Sequence, residues 1–393
     1  MNYRFANRME GVTGNAIREI FKLLQKPEVI SFAGGMPAAE SFPVTDIIRI
    51  TDEVLSQSGS KILQYGDTEG YAPLRDTLVP WLTGKDITAT AEDILITSGS
   101  QQGIDLTCKA FLNPGDKVLV ESPTYLAALQ ILKTYEADAI PVCTDEEGID
   151  LADLEEKIKK HSPKLLYLIP TFQNPTGKTL PLERRKVVVD LAVQNDIVVI
   201  EDDPYRDLRY KGQALPAMKS FDKLGNVVYL ASFSKLISPG LRVGCAVAPQ
   251  EILRKMIIGK QATDVHTSNL SQAIVNQYMK EDRLDPHLIK ICADYSVRLN
   301  KMNQMLEQYF PSELTFTHPE GGLFIWVMLP EHIDAQQLLQ KSIAKNVAFI
   351  PGTSFFADGS GKNTMRLNFS NSSEERIETG MKILAQVMKE EMV

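Results

Sequence analysis

The sequence predicts an α/β protein: a mostly parallel central sheet with helices on both faces, followed by a smaller α+β unit. Two observations carry this. Between Ile94 and Ala248, short apolar runs that end in polar turns alternate with amphipathic stretches of helical length, as in strands joined by crossover helices. Beyond Pro286 the texture changes to one long amphipathic stretch and then strand-like and helical segments in turn.

The elements follow in order. Residues 1–43 hold a helix candidate at 15–25 and then V-I-S-F-A-G-G-M-P, and this segment is expected to join the small unit. A large unit is expected over 44–286, with strands at 94–97, 117–121, 165–170, 197–201, 227–231 and 243–248. Helices are expected between them at 101–112, 124–135, 151–160 and 182–195, and Pro181 sits where the first turn of the last one begins. The small unit, 287–393, should hold a helix at 287–309, strands at 323–329 and 365–369, and helices at 335–345 and 374–389. No Gly/Ser-rich or Pro-rich linker separates the halves, so they are expected to pack closely.

Composition excludes several functions. The 393 residues are 44% apolar and 23% charged, the balance of an ordinary globular chain with room for a large core. Set against 50 Asp and Glu, 42 Lys and Arg leave a net charge of −8, so the electrostatic footprint of a nucleic-acid binder is missing. No apolar run approaches the roughly 20 residues that span a bilayer, and the charged residues Arg4, Arg8, Glu10, Arg18 and Glu19 are wrong for a secretory signal. Cysteines 108, 143, 245 and 292 are too scattered for a disulfide framework or a metal clip and fit a reducing cytosol, so a cytoplasmic protein is expected. The glycine that a P-loop needs before its Gly-Lys pair is Phe172 or Phe356, no G-x-G-x-x-G opens a helix, and the five histidines lack metal-site spacing. Metal chemistry is not expected.

What survives is a set of residues placed after successive strands, where open α/β sheets bind ligands. In V-V-Y-L-A-S-F-S-K-L-I-S-P-G-L-R-V-G, Lys235 follows a buried strand. Partial desolvation there lowers an ammonium pKa and frees the amine for a Schiff base. Arg242, seven residues on, can hold a phosphate together with Ser232 and Ser234. In T-S-G-S-Q-Q-G, the residues Gly99, Ser100 and Gln101 lie between a strand and a helix, where backbone N–H groups and the helix dipole favour a phosphate dianion. Taken singly, a lysine after a strand is most often a surface residue and a glycine before a helix most often a turn. Further segments add Tyr125 in E-S-P-T-Y, Asn174 in T-F-Q-N-P-T-G, Asp202 and Tyr205 in I-V-V-I-E-D-D-P-Y, and Arg366 in N-T-M-R-L-N-F-S. Arg366 is a lone charge in a strand-like run and needs a partner.

These segments, in this order and over essentially the whole chain, resemble the class I/II (fold-type-I) aminotransferases that depend on pyridoxal phosphate. M-N-Y, G-N-A-I-R, S-F-A-G-G-M-P and L-Q-Y are similar to segments of the subgroup that contains 2-aminoadipate and kynurenine/aminoadipate aminotransferases. The resemblance implies that Lys235 binds the cofactor and moves protons, and that Asp202 keeps the cofactor's ring nitrogen protonated. At about 4 Å and an effective dielectric near 20, such a pair is worth roughly 4 kcal/mol, or about three pKa units. It further implies that Asn174 and Tyr205 bond the ring hydroxyl oxygen, that Tyr125 stacks on the ring, and that Gly99, Ser100, Gln101, Ser232, Ser234 and Arg242 hold the phosphate. Arg366, with Asn174, would take the substrate α-carboxylate, and Gly34 and Gly35 would lie in a flexible substrate loop. Tyr65 in L-Q-Y-G-D-T-E-G would reach the phosphate of a neighbouring subunit, which makes a homodimer the expected assembly. Arg18 is either a ligand for a distal substrate carboxylate or a solvated helix residue.

The implied reaction is ping-pong transfer of an amino group from an L-amino acid, 2-aminoadipate-like, aromatic or aliphatic, to a 2-oxo acid such as 2-oxoglutarate. A β-lyase or decarboxylase on the same fold is the alternative within cofactor chemistry. A noncatalytic regulatory module that binds the same cofactor would be expected to lose Lys235 or Asp202, and both are present. The chain is also expected to lack the N-terminal winged-helix domain that some related chains carry.

Overall fold

A computed structural model describes residues 3–9 and 28–392. The helix expected at 15–25, and Arg18 with it, lies outside the described residues. In chain order the strands are β1 (Ile30–Ser31), β2 (Ile94–Thr97), β3 (Lys117–Ser122), β4 (Asp138–Asp145), β5 (Gly148–Ile149), β6 (Leu165–Leu168), β7 (Val198–Asp202), β8 (Val227–Ser232), β9 (Gly244–Val247), β10 (Thr315–Phe316), β11 (Phe324–Met328), β12 (Val347–Ala348), β13 (Ile350–Pro351) and β14 (Thr364–Asn368).

The large sheet has the order β2-β9-β8-β7-β6-β3-β4-β5. Pairings from β8 through β7, β6 and β3 to β4 are parallel. β9 runs against both neighbours, so β2 points the same way as β8, and β5 turns back along β4. The sheet is thus mostly parallel, as the sequence predicts, with the run at 243–248 as an antiparallel insert. Strands β2, β6, β8 and β9 are buried at every position, which explains why they read as continuous apolar runs. β4 escapes the sequence pattern because it lies toward an edge, is mostly not buried, and contains Pro141.

Helices cover both faces, the first two described ones in chain order being α1 (Val44–Ile62) and α2 (Ala72–Thr83). Val118 and Val120 of β3 pack with Ile104 and Leu106 of α3 (Ser100–Phe111) and Leu132 of α4 (Leu126–Thr134). Leu119, between them in sequence, packs instead with Leu154 of α5 (Leu151–His161) and Val188 of α6 (Leu182–Gln194). This alternation is what a strand buried on both sides requires. At the β2 end, Leu74 and Leu78 of the helix Ala72–Thr83 join Val275 of the helix Asn269–Lys280 against Tyr229 and Cys245. Pro181 stands just before α6 as its N-cap, one place earlier than expected.

The second sheet, β10-β11-β14-β13, is antiparallel throughout. The helices Leu284–Tyr309, Ala335–Ala344 and Glu374–Glu391 accompany it. β1 pairs with β12, and Asn368 N–H donates to Phe32 O at 2.8 Å, so the residues around 30 lie against this sheet. Among the described residues no helix is long and apolar enough to cross a membrane. The polar turns after β2, β3, β6, β7 and β8 all leave the large sheet at the same end, because those strands point the same way. That end is where the candidate residues gather.

Candidate active site

A cavity of about 400 Å³ opens at the carboxyl ends of the parallel strands, with Asp202, Lys235 and Arg366 in its walls. Asp202 is the last residue of β7 and is buried. Tyr167 of β6 donates its hydroxyl to Asp202 Oδ2 at 2.9 Å, while Oδ1 is buried with no partner. Desolvation pushes this carboxyl up to about 7, against the pull of the Tyr167 bond and the nearby Ser100 hydroxyl. A cation beside Oδ1 would reverse that shift.

Lys235 lies three residues beyond β8, half-buried, and its Nζ donates to Gly35 O at 2.7 Å. Burial, with the nearby Arg366 and Arg242 charges, lowers its ammonium to about 8. About a tenth is therefore the neutral amine at pH 7, far more than for an ordinary lysine.

One end of the cavity suits a dianion. Gly99 has φ +84 and is the N-cap of α3, so the first N–H groups of the helix face the cavity. With φ +84 and ψ 167 the backbone at position 99 lies where essentially only glycine is found, and a Cβ there would also stand 2.6 Å from Arg242 Nη2. Arg242 itself has φ +54, and its guanidinium donates to Ser234 Oγ at 3.3 Å and Ser98 O at 2.8 Å. Ser232 Oγ accepts from Ser234 N–H at 3.2 Å, and Ser232, Ser234, Ser100 and Gln101 all line the cavity.

Another part of the wall suits a carboxylate. Arg366, on β14, donates to Asn174 Oδ1 and Ala33 O, both at 2.7 Å. Its guanidinium lies 4.1 Å from the Phe324 ring centroid and 5.0 Å from that of Phe355. Burial lowers it only to about 10, so it stays charged at neutral pH. Asn174 also donates to the Tyr205 hydroxyl at 3.4 Å, and Tyr125 completes this wall, its phenol pushed to about 12 chiefly by burial.

Among the described residues, most of the sequence-predicted ones thus meet in one cavity, but two do not. Gly34 is buried one residue back from the wall, and it is Gly35 whose carbonyl meets Lys235. Tyr65 is 81% exposed, edge-on to His266 at 5.9 Å, and outside the cavity of its own chain. Sequence reading missed Tyr167, although a tyrosine in a buried strand signals a hydroxyl that needs a partner. It also missed Glu121, whose carboxyl accepts Ile169 N–H at 3.0 Å and is pushed to about 8 by burial. Phe355 and Met36 of the cavity wall carried no signal beyond being apolar.

The residues present fit pyridoxal phosphate. The orphaned Asp202 oxygen matches a protonated ring nitrogen, the α3 turn with Arg242 matches the phosphate, and Lys235 lines the same cavity. The model of aminotransferase class I and II matches residues 27–384. The chain is a class I and II aminotransferase.

Its relatives agree. An aromatic-amino-acid aminotransferase of Thermococcus litoralis is 45% identical over 394 residues, covering 99% of this chain and 94% of that one. A crystal structure of Pyrococcus horikoshii kynurenine aminotransferase, in complex with PMP, superposes with a TM-score of 0.95 at 43% identity, covering 99% and 98% of the two chains. An α-aminoadipate aminotransferase of Thermus thermophilus, complexed with N-(5'-phosphopyridoxyl)-L-leucine, gives 0.93 at 38% identity with the same coverage. This aminotransferase therefore works on amino acids and 2-oxo acids and uses pyridoxal phosphate.

Proposed function

We propose that this aminotransferase takes the amino group of L-amino acids with long side chains, aromatic, aliphatic or 2-aminoadipate-like, and passes it to 2-oxoglutarate in a ping-pong cycle. The observation that carries the donor class is the apolar wall near Arg366. Phe355 stacks on the guanidinium, and Met36, Leu126 and Ala127 continue the surface. The names of the relatives support the same range of donors.

The chain's own groups have distinct roles in this reading. Arg366 grips the α-carboxylate bidentately, and it serves both half-reactions because both partners carry that group. Asn174 orients Arg366 through the 2.7 Å bond and, with Tyr205, faces the ring hydroxyl oxygen. Asp202 holds a proton on the ring nitrogen, and Tyr125 packs against the ring. Lys235 Nζ, neutral once it has released its proton, would move the proton from the substrate Cα to the cofactor carbon. When bound, pyridoxal phosphate supplies the electron sink that lets the Cα–H bond ionise, and it carries the amino group between half-reactions.

The same reading makes the protein a homodimer with Tyr65 set toward the phosphate of the partner subunit, supported by the exposure of Tyr65 beside exposed Leu63. It places residues 44–286 in a cofactor unit and 287–393 with residues 1–43 in a smaller one, supported by the β1–β12 pairing. Four free cysteines support a cytoplasmic location. A screen of amino donors, read as loss of the holoenzyme's visible cofactor band, tests the donor class. Aromatic, long aliphatic and 2-aminoadipate donors should react fastest. Preference for alanine or aspartate would overturn the assignment, and release of ammonia without transfer would indicate lyase chemistry.

A further inference from the structure

One buried charge behind the phosphate turn has no part in the roles given above. Lys260, near the end of the helix Gln250–Gln261, has a fully buried side chain. Its ammonium donates to Gln102 Oε1 at 2.7 Å, to both Asp264 carboxylate oxygens at 3.0 Å and to Thr267 Oγ1 at 3.0 Å. All these acceptors converge on Ser98, the residue before Gly99. Gln102 Oε1 accepts Ser98 N–H at 2.8 Å. Asp264 Oδ2 accepts from Ser98 Oγ at 3.1 Å and Gln102 Nε2 at 2.8 Å, and the Ser98 and Thr267 hydroxyls are 3.2 Å apart. The carbonyl of Ser98 accepts from Arg242. Every polar group of Ser98 is thereby fixed, and two of the three are fixed by partners of Lys260.

The turn that carries Asp264 is itself wrapped around Lys260. Thr263, Asp264 and Val265 N–H groups lie within bonding distance of Lys260 O, at 2.9, 3.0 and 3.2 Å. Val265 has φ +65, a strained conformation for a β-branched residue that persists only where its surroundings impose it.

We propose that Lys260, acting through Asp264 and Gln102, is a positioning residue for the cofactor phosphate. It fixes Ser98, so the N–H groups of the Gly99–Gln101 turn and the Arg242 guanidinium are in place before the phosphate arrives. This rests on reading that turn and Arg242 as the phosphate site.

The test compares two ligands. Apoprotein made from purified holoenzyme is titrated with pyridoxal phosphate and with pyridoxal, which lacks the phosphate. Lys260→Met should weaken the phosphate-bearing ligand about tenfold and leave pyridoxal within about twofold, the loss expected when charge-assisted bonds to a binding element go. Asp264→Asn, at a partly exposed carboxylate, keeps the shape of the turn if Lys260→Met fails to fold, and it should shift the ratio in the same direction. A purely structural role would lower thermal stability and weaken both ligands alike, and that result overturns the proposal. Arg242→Met separates the two readings. If it loses discrimination while the Lys260 and Asp264 variants keep it, the phosphate site stands and the proposal falls. If Arg242→Met keeps discrimination, the phosphate-site reading fails and takes the proposal with it.

Discussion

Asp202 and Arg366 are both buried charges in one cavity, and they are held in opposite ways. Asp202 ends a central strand of the parallel sheet, has one oxygen satisfied by Tyr167 and the other by nothing, and is pushed up to about 7. Arg366 comes from the antiparallel sheet and donates to acceptors from two other segments, Asn174 and Ala33 O; burial lowers it only to about 10, so it stays charged. The sheet side is a rigid seat that lacks a cation, completed by the cofactor. The arginine side is assembled from three distant pieces of chain, with two acceptors and two aromatic faces around the guanidinium and Nε left without a partner. Changes on the first side should therefore act on chemistry, and changes on the second on substrate binding.

The largest expected effect is on the sheet side. Asp202→Asn removes an ion pair worth roughly 4 kcal/mol and should lower kcat about 10³-fold, with substrate KM little changed. Steady-state kinetics that show a loss below tenfold would erase the contrast. Next comes Arg366→Lys, which keeps the charge but not the fork. It should raise KM for both the amino acid and the 2-oxo acid by about 10- to 100-fold. An equal fall in kcat would mean that the two sides are not separable. Tyr167→Phe leaves Asp202 with one donor fewer and pushes its carboxyl higher still, so kcat should fall about tenfold without a change in KM.

The smallest effect is on apoprotein stability. The Asp202 carboxyl, about 7 folded against an ordinary 3.8, holds its proton where the unfolded chain has lost it. Between about pH 4 and 7 the native state binds more protons, so this group's contribution to stability declines as pH rises through that window. Lys235, about 8 folded against an ordinary 10.5, acts in the other direction, and stability recovers between those values. Thermal unfolding of the apoprotein against pH should show the first slope flattened in Asp202→Asn and the second in Lys235→Met.

The same contrast marks what the sequence could tell. The parallel strands were legible because strands covered on both faces are continuous apolar runs, and the polar residue that ends each run stood out against them. Asp202, Lys235 and Gly99 were found that way. β4 was hidden by Pro141 and its polar edge, and the reversed direction of β9 leaves no mark in composition. Arg366 could be singled out as a lone charge, yet its partners Ala33, Phe324 and Phe355 are scattered over the chain and only folding joins them. Tyr167 and Glu121 were unread because their meaning depends on which buried atom lies opposite. Tyr65 is exposed and lies outside the cavity of its own chain, so a single chain cannot display the role expected of it.

The central claim is that the Asp202–Lys235–Arg366 cavity transfers amino groups. A single half-reaction tests it most directly: holoenzyme, an aromatic amino acid, and no acceptor. The expected result is a stoichiometric yield of 2-oxo acid without ammonia, bleaching of the visible cofactor band, recovery of the band on adding 2-oxoglutarate, and none of these in Lys235→Ala. A Lys235→Ala protein that still produced the 2-oxo acid at near the parent rate would contradict the account.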